Sequence, residues 1–380
     1  MAYGDIGTVL DELEYDLTDT AAPDMVQVAN TIYAIVYTDA DGDGILITVE
    51  IDAAGNITNT VVDTLEFDTA DANDVSICWL LGDIFAIAYR GAGHAGTIVT
   101  VEITQAGAIG ATVIDSYVFN ATVSYENFLF KIADGILAVV CRGASNEGIM
   151  TTIGIDAAGN ITDPFIDKET GWAANVNNPE VALVSSGIYA IVSRDNAFDG
   201  NVMTLGISDA GAVDSGVTDS LEFDTLQGSF PSIVHALGDI FCIAYTSTGS
   251  DGTLITVTID AAGNIGAAPI DTLVFDAARG LECTMLHLGD GIVAIAYSGV
   301  DTDGFIVTVQ TAVGGAIGPA PIDSLEFDIW HTVRPNLVHV TGDVYAVCYV
   351  GNTSDGFLST MGIATPPAGR GRQLMMMGLC

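Results

Sequence analysis

Apolar and polar residues alternate along most of the chain in short blocks that have the length of β-strands. One stretch contains the apolar run SICWLL at 76–81, a Gly-Asp turn and a second run, IFAIAY, at 84–89. A polar loop then leads to a third run, such as LITVTI at 254–259, and an Asp-Ala-Ala-Gly-Asn segment leads to a fourth. The runs are rich in β-branched and aromatic residues, and none has helical periodicity. The pattern therefore predicts an all-β protein.

This group of four runs recurs along the chain with a period of 52 residues. The fourth run contains variants of Ile-Asp-x-Leu-Glu-Phe-Asp, and its first aspartate marks each unit: Asp11, Asp63, Asp115, Asp167, Asp219, Asp271 and Asp323. Four strands in about 40 to 50 residues are typical of one blade of a β-propeller. The sequence therefore predicts a seven-bladed β-propeller with four antiparallel strands per blade.

The two ends of the repeat region complement each other. Residues 4–16 resemble the fourth-strand segment at 263–276, whereas the last unit, 335–363, lacks a fourth strand. We therefore expect the N-terminal strand to complete the C-terminal blade and close the ring, which leaves only short outer edges. On this basis residues 1–363 form the propeller and residues 364–380 form a C-terminal tail.

Several residue types recur at one position of every unit. The second strand carries a small residue: Ala34, Ala86, Ala138, Ala190, Cys242, Ala294 and Ala346. The third strand carries a threonine: Thr48, Thr100, Thr152, Thr204, Thr256, Thr308 and Thr360. We interpret both sets as packing positions. The seven repeated aspartates allow two interpretations, a ring of ligands or charges that keep outer strands from pairing with other molecules, and we favour the structural one.

The composition excludes several functional classes. The chain has 49 acidic and 9 basic residues and a formal net charge of −40, which argues against binding to a nucleic-acid backbone. Its hydrophobic content of 49% suffices for a sizeable core. No apolar run approaches a membrane span, and the first residues lack the basic and apolar regions of an export signal.

The cysteines do not form a recognisable disulfide or zinc pattern. There are six, without a Cys-x-x-Cys motif: Cys78, Cys141, Cys242, Cys283, Cys348 and Cys380. The first five lie in apolar runs, where we expect them to act as small hydrophobic residues.

Candidate ligand-binding residues cluster on one predicted face, which we call the loop face. It contains the connections from each fourth strand to the next blade, and those between second and third strands. Arg90, Arg142 and Arg194 end three successive second strands, and together they are candidates for gripping a carboxylate. The alternative is that each pairs with a nearby acidic residue. The loop aromatics Tyr125, Trp172 and Trp330, with His331 beside the last, are candidates for stacking on sugar rings.

Two further groups are candidates for metal binding. Asp39, Asp41 and Asp43 alternate in one loop and form a possible calcium site, although an acidic solvated loop has the same sequence. Three histidines share one register on the inner strands: His235, His287 and His339. They suggest a transition-metal or pH-sensitive ring, but inheritance from an ancestral repeat explains the spacing equally well.

The combination of GDIFAIAYRG at 82–91 with IDSLEFD at 322–328 resembles acidic tandem-repeat propellers of prokaryotic cell-surface, secreted and virion-associated proteins. The resemblance implies an extracellular or virion-surface structural or binding role. No hydrolase, zincin or phosphate-loop motif is present, so no catalytic residues are assigned.

These observations favour a non-enzymatic structural or adhesive subunit whose tail, 364–380, contacts itself or other assembly subunits. The alternative is a lectin-like propeller that binds surface glycans through the loop face. A carbohydrate-active enzyme is less favoured, because 49 acidic residues make any chosen catalytic pair arbitrary.

Overall fold

The computed structural model describes residues 2–366. Within this range, seven four-stranded antiparallel sheets surround a central axis, which confirms the predicted all-β, seven-bladed propeller. The predicted tail from residue 367 onward lies outside the described residues.

The blades contain the following strands, from the axis outward. Blade 1 has β2 (Ala21–Ala29), β3 (Ile32–Thr38), β4 (Gly44–Glu50) and β5 (Asp63–Asp68). Blade 2 has β6 (Asn73–Leu81), β7 (Ile84–Arg90), β8 (Gly96–Glu102) and β9 (Asp115–Asn120). Blade 3 has β10 (Tyr125–Ala133), β11 (Ile136–Arg142), β12 (Gly148–Gly154) and β13 (Asp167–Thr170). Blade 4 has β14 (Asn177–Ser185), β15 (Ile188–Arg194), β16 (Gly200–Gly206) and β17 (Asp219–Asp224).

The remaining blades follow the same order. Blade 5 has β18 (Ser229–Leu237), β19 (Ile240–Thr246), β20 (Gly252–Thr258) and β21 (Asp271–Asp276). Blade 6 has β22 (Leu281–Gly289), β23 (Ile292–Ser298), β24 (Gly304–Gln310) and β25 (Asp323–Asp328). Blade 7 has β26 (Val333–Thr341), β27 (Val344–Val350), β28 (Gly356–Ile363) and β1 (Ile6–Asp16). Short 3₁₀ helices lie in four loops: Ala92–His94, Thr248–Ser250, Val300–Thr302 and Asn352–Ser354.

The hydrophobic core is divided among seven clusters, each between two neighbouring blades. The repeated small residues of the second strands are fully buried in these clusters, which confirms their packing role. Four cysteines are buried free thiols, as expected: Cys141, Cys242, Cys283 and Cys348. Cys78 is disulfide-bonded, so the expectation that it acts only as a small hydrophobic residue is wrong. Burial raises the pKa of Cys141 to about 11, so this thiol stays protonated and unreactive at neutral pH.

The aspartate that opens each outer strand hydrogen-bonds to the next blade. One carboxylate oxygen accepts a backbone N–H from the neighbour's loop between its third and outer strands, or in blade 7 from the first residue of β1, at 2.8 to 2.9 Å in all seven blades. The donors are Ile6, Ile57, Ile109, Ile161, Val213, Ile265 and Ile317. Hence the repeated aspartates hold adjacent blades together, a role that neither charge repulsion at the edge nor a ligand ring describes. We call these contacts the aspartate latches.

The repeated threonines form a second ring of contacts between blades. Each hydroxyl donates to a glycine carbonyl of the next blade, in the same segment that the aspartate latch holds. The oxygen–oxygen distances are 2.5 to 2.6 Å, and the threonines are buried. Their predicted structural role is therefore confirmed.

Strand β1 closes the ring as predicted, by pairing with β28. The N-terminal segment, Gly4 together with β1, makes both kinds of contact across the closure. Asp11 accepts the N–H of Ile57, while the Gly4 carbonyl accepts the Thr308 hydroxyl. The joint between the two chain ends is thus made of the same hydrogen bonds as the other blade interfaces.

Candidate functional site

The described arginines all lie on the loop face. Three end second strands, one lies in the connection before β22, and one is the second residue of β26: Arg90, Arg142, Arg194, Arg279 and Arg334. The sequence around them is strongly acidic, so this placement concentrates positive charge on one side of the ring. The predicted grouping of Arg90, Arg142 and Arg194 on one face is correct.

A ring of seven residues surrounds the axial opening on the loop face. It comprises the second residue of each inner strand: Ala22, Asp74, Glu126, Asn178, Phe230, Glu282 and Arg334. We call it the axial ring. All seven have left-handed backbone conformations, with φ from 48° to 56°, at the bulge where the inner strand leaves its ladder. They line a cavity of about 260 Å³ at the axis.

Carboxylates of the axial ring also link neighbouring blades. Asp74 accepts the N–H of Glu126 at 3.2 Å, and Glu126 accepts the N–H of Asn178 at 2.9 Å. Glu282 accepts the N–H of Arg334 at 2.6 Å. These acids therefore stabilise the strained start of the inner strands and leave part of their charge facing the cavity.

Two of the three predicted arginines are ion-paired with the axial ring. Arg90 Nε lies 3.2 Å from Asp74, and Arg142 Nε lies 3.3 Å from Glu126. The Tyr125 ring lies between them, 5.2 Å from the Arg90 guanidinium carbon and 4.6 Å from that of Arg142. Pairing with local acids, the alternative interpretation of the sequence, therefore describes both residues.

Arg194 has a different environment. Asn178 occupies the axial-ring position that corresponds to Asp74 and Glu126, so no carboxylate stands opposite this guanidinium. Among residues 2–366, Arg194 forms no ion pair, and its buried Nε has no hydrogen-bond acceptor. Its guanidinium carbon instead lies 4.6 Å from the centre of the Phe198 ring. Phe198 is an aromatic residue of the loop face that the sequence analysis did not single out.

The predicted exposed aromatics divide into two kinds. Trp330 is 70% exposed, whereas Trp172 is only 8% exposed and packs against Gly148. The prediction that Trp172 is available for stacking is therefore wrong. A phenylalanine or tyrosine of the outer strand covers the corresponding glycine in the other blades, but β13 ends at Thr170, and Trp172 fills that space instead. His331 is partly buried, and its Nδ1 lies 2.9 Å from the Thr302 hydroxyl oxygen.

The alternating aspartates of the first blade form a hydrogen-bonded turn. Asp39 Oδ1 accepts the N–H groups of Asp41 and Asp43 at 3.0 and 2.9 Å. Partial desolvation, followed by the charges of Asp39 and Asp41, raises the pKa of Asp43. Within residues 2–366, no three His, Cys, Asp or Glu side chains converge as a metal-binding group. Calcium binding here stays a prediction.

The histidine register belongs to the hairpins that join inner and second strands. His339 Nε2 lies 3.0 Å from the Gly342 carbonyl oxygen, and His235 contacts the Gly238 carbonyl in the same way. Trp79 Nε1 donates to the Gly82 carbonyl at 3.0 Å from the equivalent position. In these three blades a side-chain nitrogen therefore caps its own hairpin, a role that needs no metal.

Two carboxylates deeper in the axial cavity escaped the sequence analysis. Glu180 accepts the Ser232 hydroxyl and the Ile233 N–H, both at 2.9 Å, and burial raises its pKa to about 7. Asp24 makes the matching contacts with Ser76 and Ile77, and burial raises its pKa as well. An acid followed 52 residues later by a serine was the sequence signal for both pairs.

Comparisons with known proteins identify the fold. No protein-family model matches the chain, and no curated protein matches it either. The lectin BP39L from Burkholderia pseudomallei has a similar structure, with a TM-score of 0.61 and 14% identity over 93% of this chain and 98% of that chain. A chain of the mitotic checkpoint complex has a TM-score of 0.60 and 10% identity, covering 94% and 92%. Sqt1 from Chaetomium thermophilum has a TM-score of 0.57 and 15% identity, covering 96% and 87%.

At these identities the structural matches establish the propeller fold alone. The similarity to the acidic tandem-repeat family therefore stays a prediction beyond its fold. No helix in residues 2–366 is both long and apolar enough to cross a lipid bilayer.

Proposed function

We propose that the protein is a non-enzymatic binding propeller that recognises carbohydrate through its loop face. The observation that supports this most directly is the placement of the five described arginines on that face of an otherwise acidic molecule. Exposed aromatic rings accompany them, since Trp330 is 70% and Phe198 is 52% exposed. Aromatic faces and arginine forks together suit sugars, which present both apolar ring faces and polar edges.

The lectin among the structural neighbours gives this proposal weak additional support, because it has a propeller of nearly the same extent. Surface glycans as ligands would also fit the extracellular or virion-surface location that the sequence resemblance implies.

Binding of a glycan array by the wild-type protein, followed by calorimetry on the best ligand, tests this proposal. The double variant Trp330→Ala, Phe198→Ala should lose most of the affinity. Tyr3→Ala is the matched control, because Tyr3 is also exposed but lies near the opposite face, beside the N-terminal closure. Equal binding by all three proteins, or release of cleaved sugar by the pure protein, would contradict the proposal.

A second function, attachment to an assembly through the C-terminal segment, is favoured by where the described chain ends. The Thr365 N–H and hydroxyl both donate to Asp343 Oδ1, at 3.1 and 2.6 Å, on the turn between β26 and β27. That turn lies on the face opposite the loop face. Attachment at the tail would therefore leave the glycan-binding face open, as an adhesive subunit requires.

Light scattering and negative-stain microscopy on the full chain and on a version ending at Pro366 test the attachment function. We expect larger assemblies only for the full chain. The cut follows Pro366 because Ala364 still bonds to Gly4 and Asp5 and belongs to the ring closure. Identical monomeric discs for both proteins would exclude assembly through residues 367–380.

A further inference from the structure

One arginine on the loop face lacks the carboxylate that its counterparts have. Arg90, Arg142 and Arg194 occupy the same position in blades 2, 3 and 4. The first two are neutralised by Asp74 and Glu126, whereas the third faces Asn178. The exchange of acid for amide leaves one positive charge uncompensated at a position where the fold otherwise provides a partner.

The guanidinium of Arg194 is held in place by contacts that do not use its hydrogen-bond donors. Its carbon lies 4.6 Å from the centre of the Phe198 ring, a distance typical of cation–π stacking. The Nε atom is buried without an acceptor within residues 2–366. Leaving a charged group unpaired is unfavourable, so an anionic group placed beside this guanidinium is stabilised by its uncompensated charge.

The surroundings of this guanidinium combine apolar and amide groups. Phe198 is 52% and Leu226 is 73% exposed, and the Gly228 N–H donates to the Phe198 carbonyl at 2.7 Å, which joins the two loops. Asn196 donates to Asn175 at 2.6 Å in the same region. The site therefore has a cation, an exposed aromatic ring and polar amides side by side.

Nearby acids limit the charge of a suitable ligand. Asp195 Oδ1 accepts the N–H groups of Ala197 and Asp199, at 2.7 and 2.9 Å, and so remains close to the loop that carries Phe198. A doubly charged phosphate would be repelled by these carboxylates more strongly than a singly charged, planar carboxylate. The arginine fork matches the planar group with two parallel hydrogen bonds.

We propose that Arg194 binds the carboxylate of an acidic sugar residue, such as a uronic or sialic acid, whose ring contacts Phe198. This inference rests on the proposed carbohydrate binding and specifies its ligand class and position. Asn178 is the residue that makes the site possible, because an acid there would neutralise Arg194 in the way that Arg90 and Arg142 are neutralised.

Calorimetry with paired probes tests this site. The probes are 3′-sialyllactose against lactose, and a glucuronate-containing oligosaccharide against its carboxyl-reduced form. The wild-type protein should bind at least one acidic probe about tenfold or more tightly than its neutral partner. Arg194→Met and Asn178→Asp should each abolish that preference, the second by supplying an internal carboxylate while the arginine remains.

Arg279→Met is the matched control, since it removes the same charge from the same face, and it should keep the wild-type preference for the acidic over the neutral probe. Asn178→Asp is expected to fold, because Asp74 occupies the equivalent position in blade 2. Equal binding of acidic and neutral probes, or variants that keep the preference, would overturn the Arg194 site while carbohydrate binding stands. Absence of binding to any sugar on the array would instead overturn the proposed function, and with it this site.

Discussion

At the scale of single residues, the aspartate of each latch uses its two oxygens for different partners. Asp219 Oδ2 accepts the Ile265 N–H of the next blade, and Oδ1 accepts the N–H of Ser220 beside it, both at 2.8 Å. An asparagine has only one such oxygen and would turn an amide N–H towards one of the two donors. This explains why the position is aspartate in all seven blades.

Replacing one latch aspartate should therefore lower stability. We expect Asp219→Asn to reduce the free energy of unfolding by about 1–3 kcal/mol, the usual effect of leaving a part-buried donor unpaired. Thermal and denaturant unfolding would measure the change. Ser220→Ala, at the neighbouring exposed position, is the control and should unfold like the wild type; an equal effect of both variants would refute the latch.

Glu180 provides a residue-scale prediction about pH. Burial raises its pKa from 4.5 to about 7, so the folded protein binds this proton more tightly than the unfolded chain. Its contribution to stability is therefore fully present below about pH 4.5 and is lost as pH rises through 7. Glu180→Gln keeps an acceptor for Ser232 and Ile233 but cannot titrate.

We expect the unfolding midpoint of the wild type to fall between pH 5 and pH 8 relative to that of Glu180→Gln. Over this range the free energy of unfolding of the wild type should fall by about 1–2 kcal/mol relative to that of the variant. Glu222→Gln removes an exposed carboxylate from β17 and controls for net charge. Parallel curves for Glu180→Gln and the wild type would contradict the prediction.

At the scale of elements, β1 is the strand on which the ring depends. It pairs with β28 along most of its length and carries a latch to blade 1, and Gly4 just before it supplies an acceptor for blade 6. Removing it would expose the backbone groups of β28 and open two blade interfaces.

Deletion of residues 2–16 should therefore lower the unfolding temperature and cause aggregation or strand exchange between molecules. Calorimetry and size-exclusion chromatography would detect both effects. A version ending at Pro366 is the control, because it retains every described strand, and its unfolding temperature should stay unchanged. A monomeric, equally stable deletion variant would show that closure by β1 is dispensable.

The elements also show why the sequence predicted the fold more completely than the site. The 52-residue repeat determines strand number, blade number and closure, since each unit repeats the same local pattern. Trp172 is buried because β13 is short and ends at Thr170. The aromatic residue that covers Gly148 therefore stands one position later in the sequence than in the other blades. Arg90 and Arg142 each have an acidic residue sixteen positions earlier, Asp74 and Glu126. The sequence contains these pairs, but only the structure showed that the two positions meet.

At the scale of the whole molecule, the net charge of −40 opposes the compact ring. Like charges repel over longer distances when salt is dilute, since the Debye length is about 30 Å at 0.01 M and about 8 Å at 0.15 M. We expect the unfolding temperature to rise with sodium chloride concentration in the absence of divalent ions. Differential scanning calorimetry would measure it, and an unchanged temperature would indicate that the charges are compensated locally.

The closure between the chain ends has a further consequence. The Gly4 N–H donates to the Ala364 carbonyl at 2.7 Å, so the two ends of the described chain are adjacent. Because that joint uses the same bonds as every other blade interface, the ring has no structurally privileged starting point. A gene rearranged to begin in any of the loops between third and outer strands, with the old ends linked, would encode the same circle.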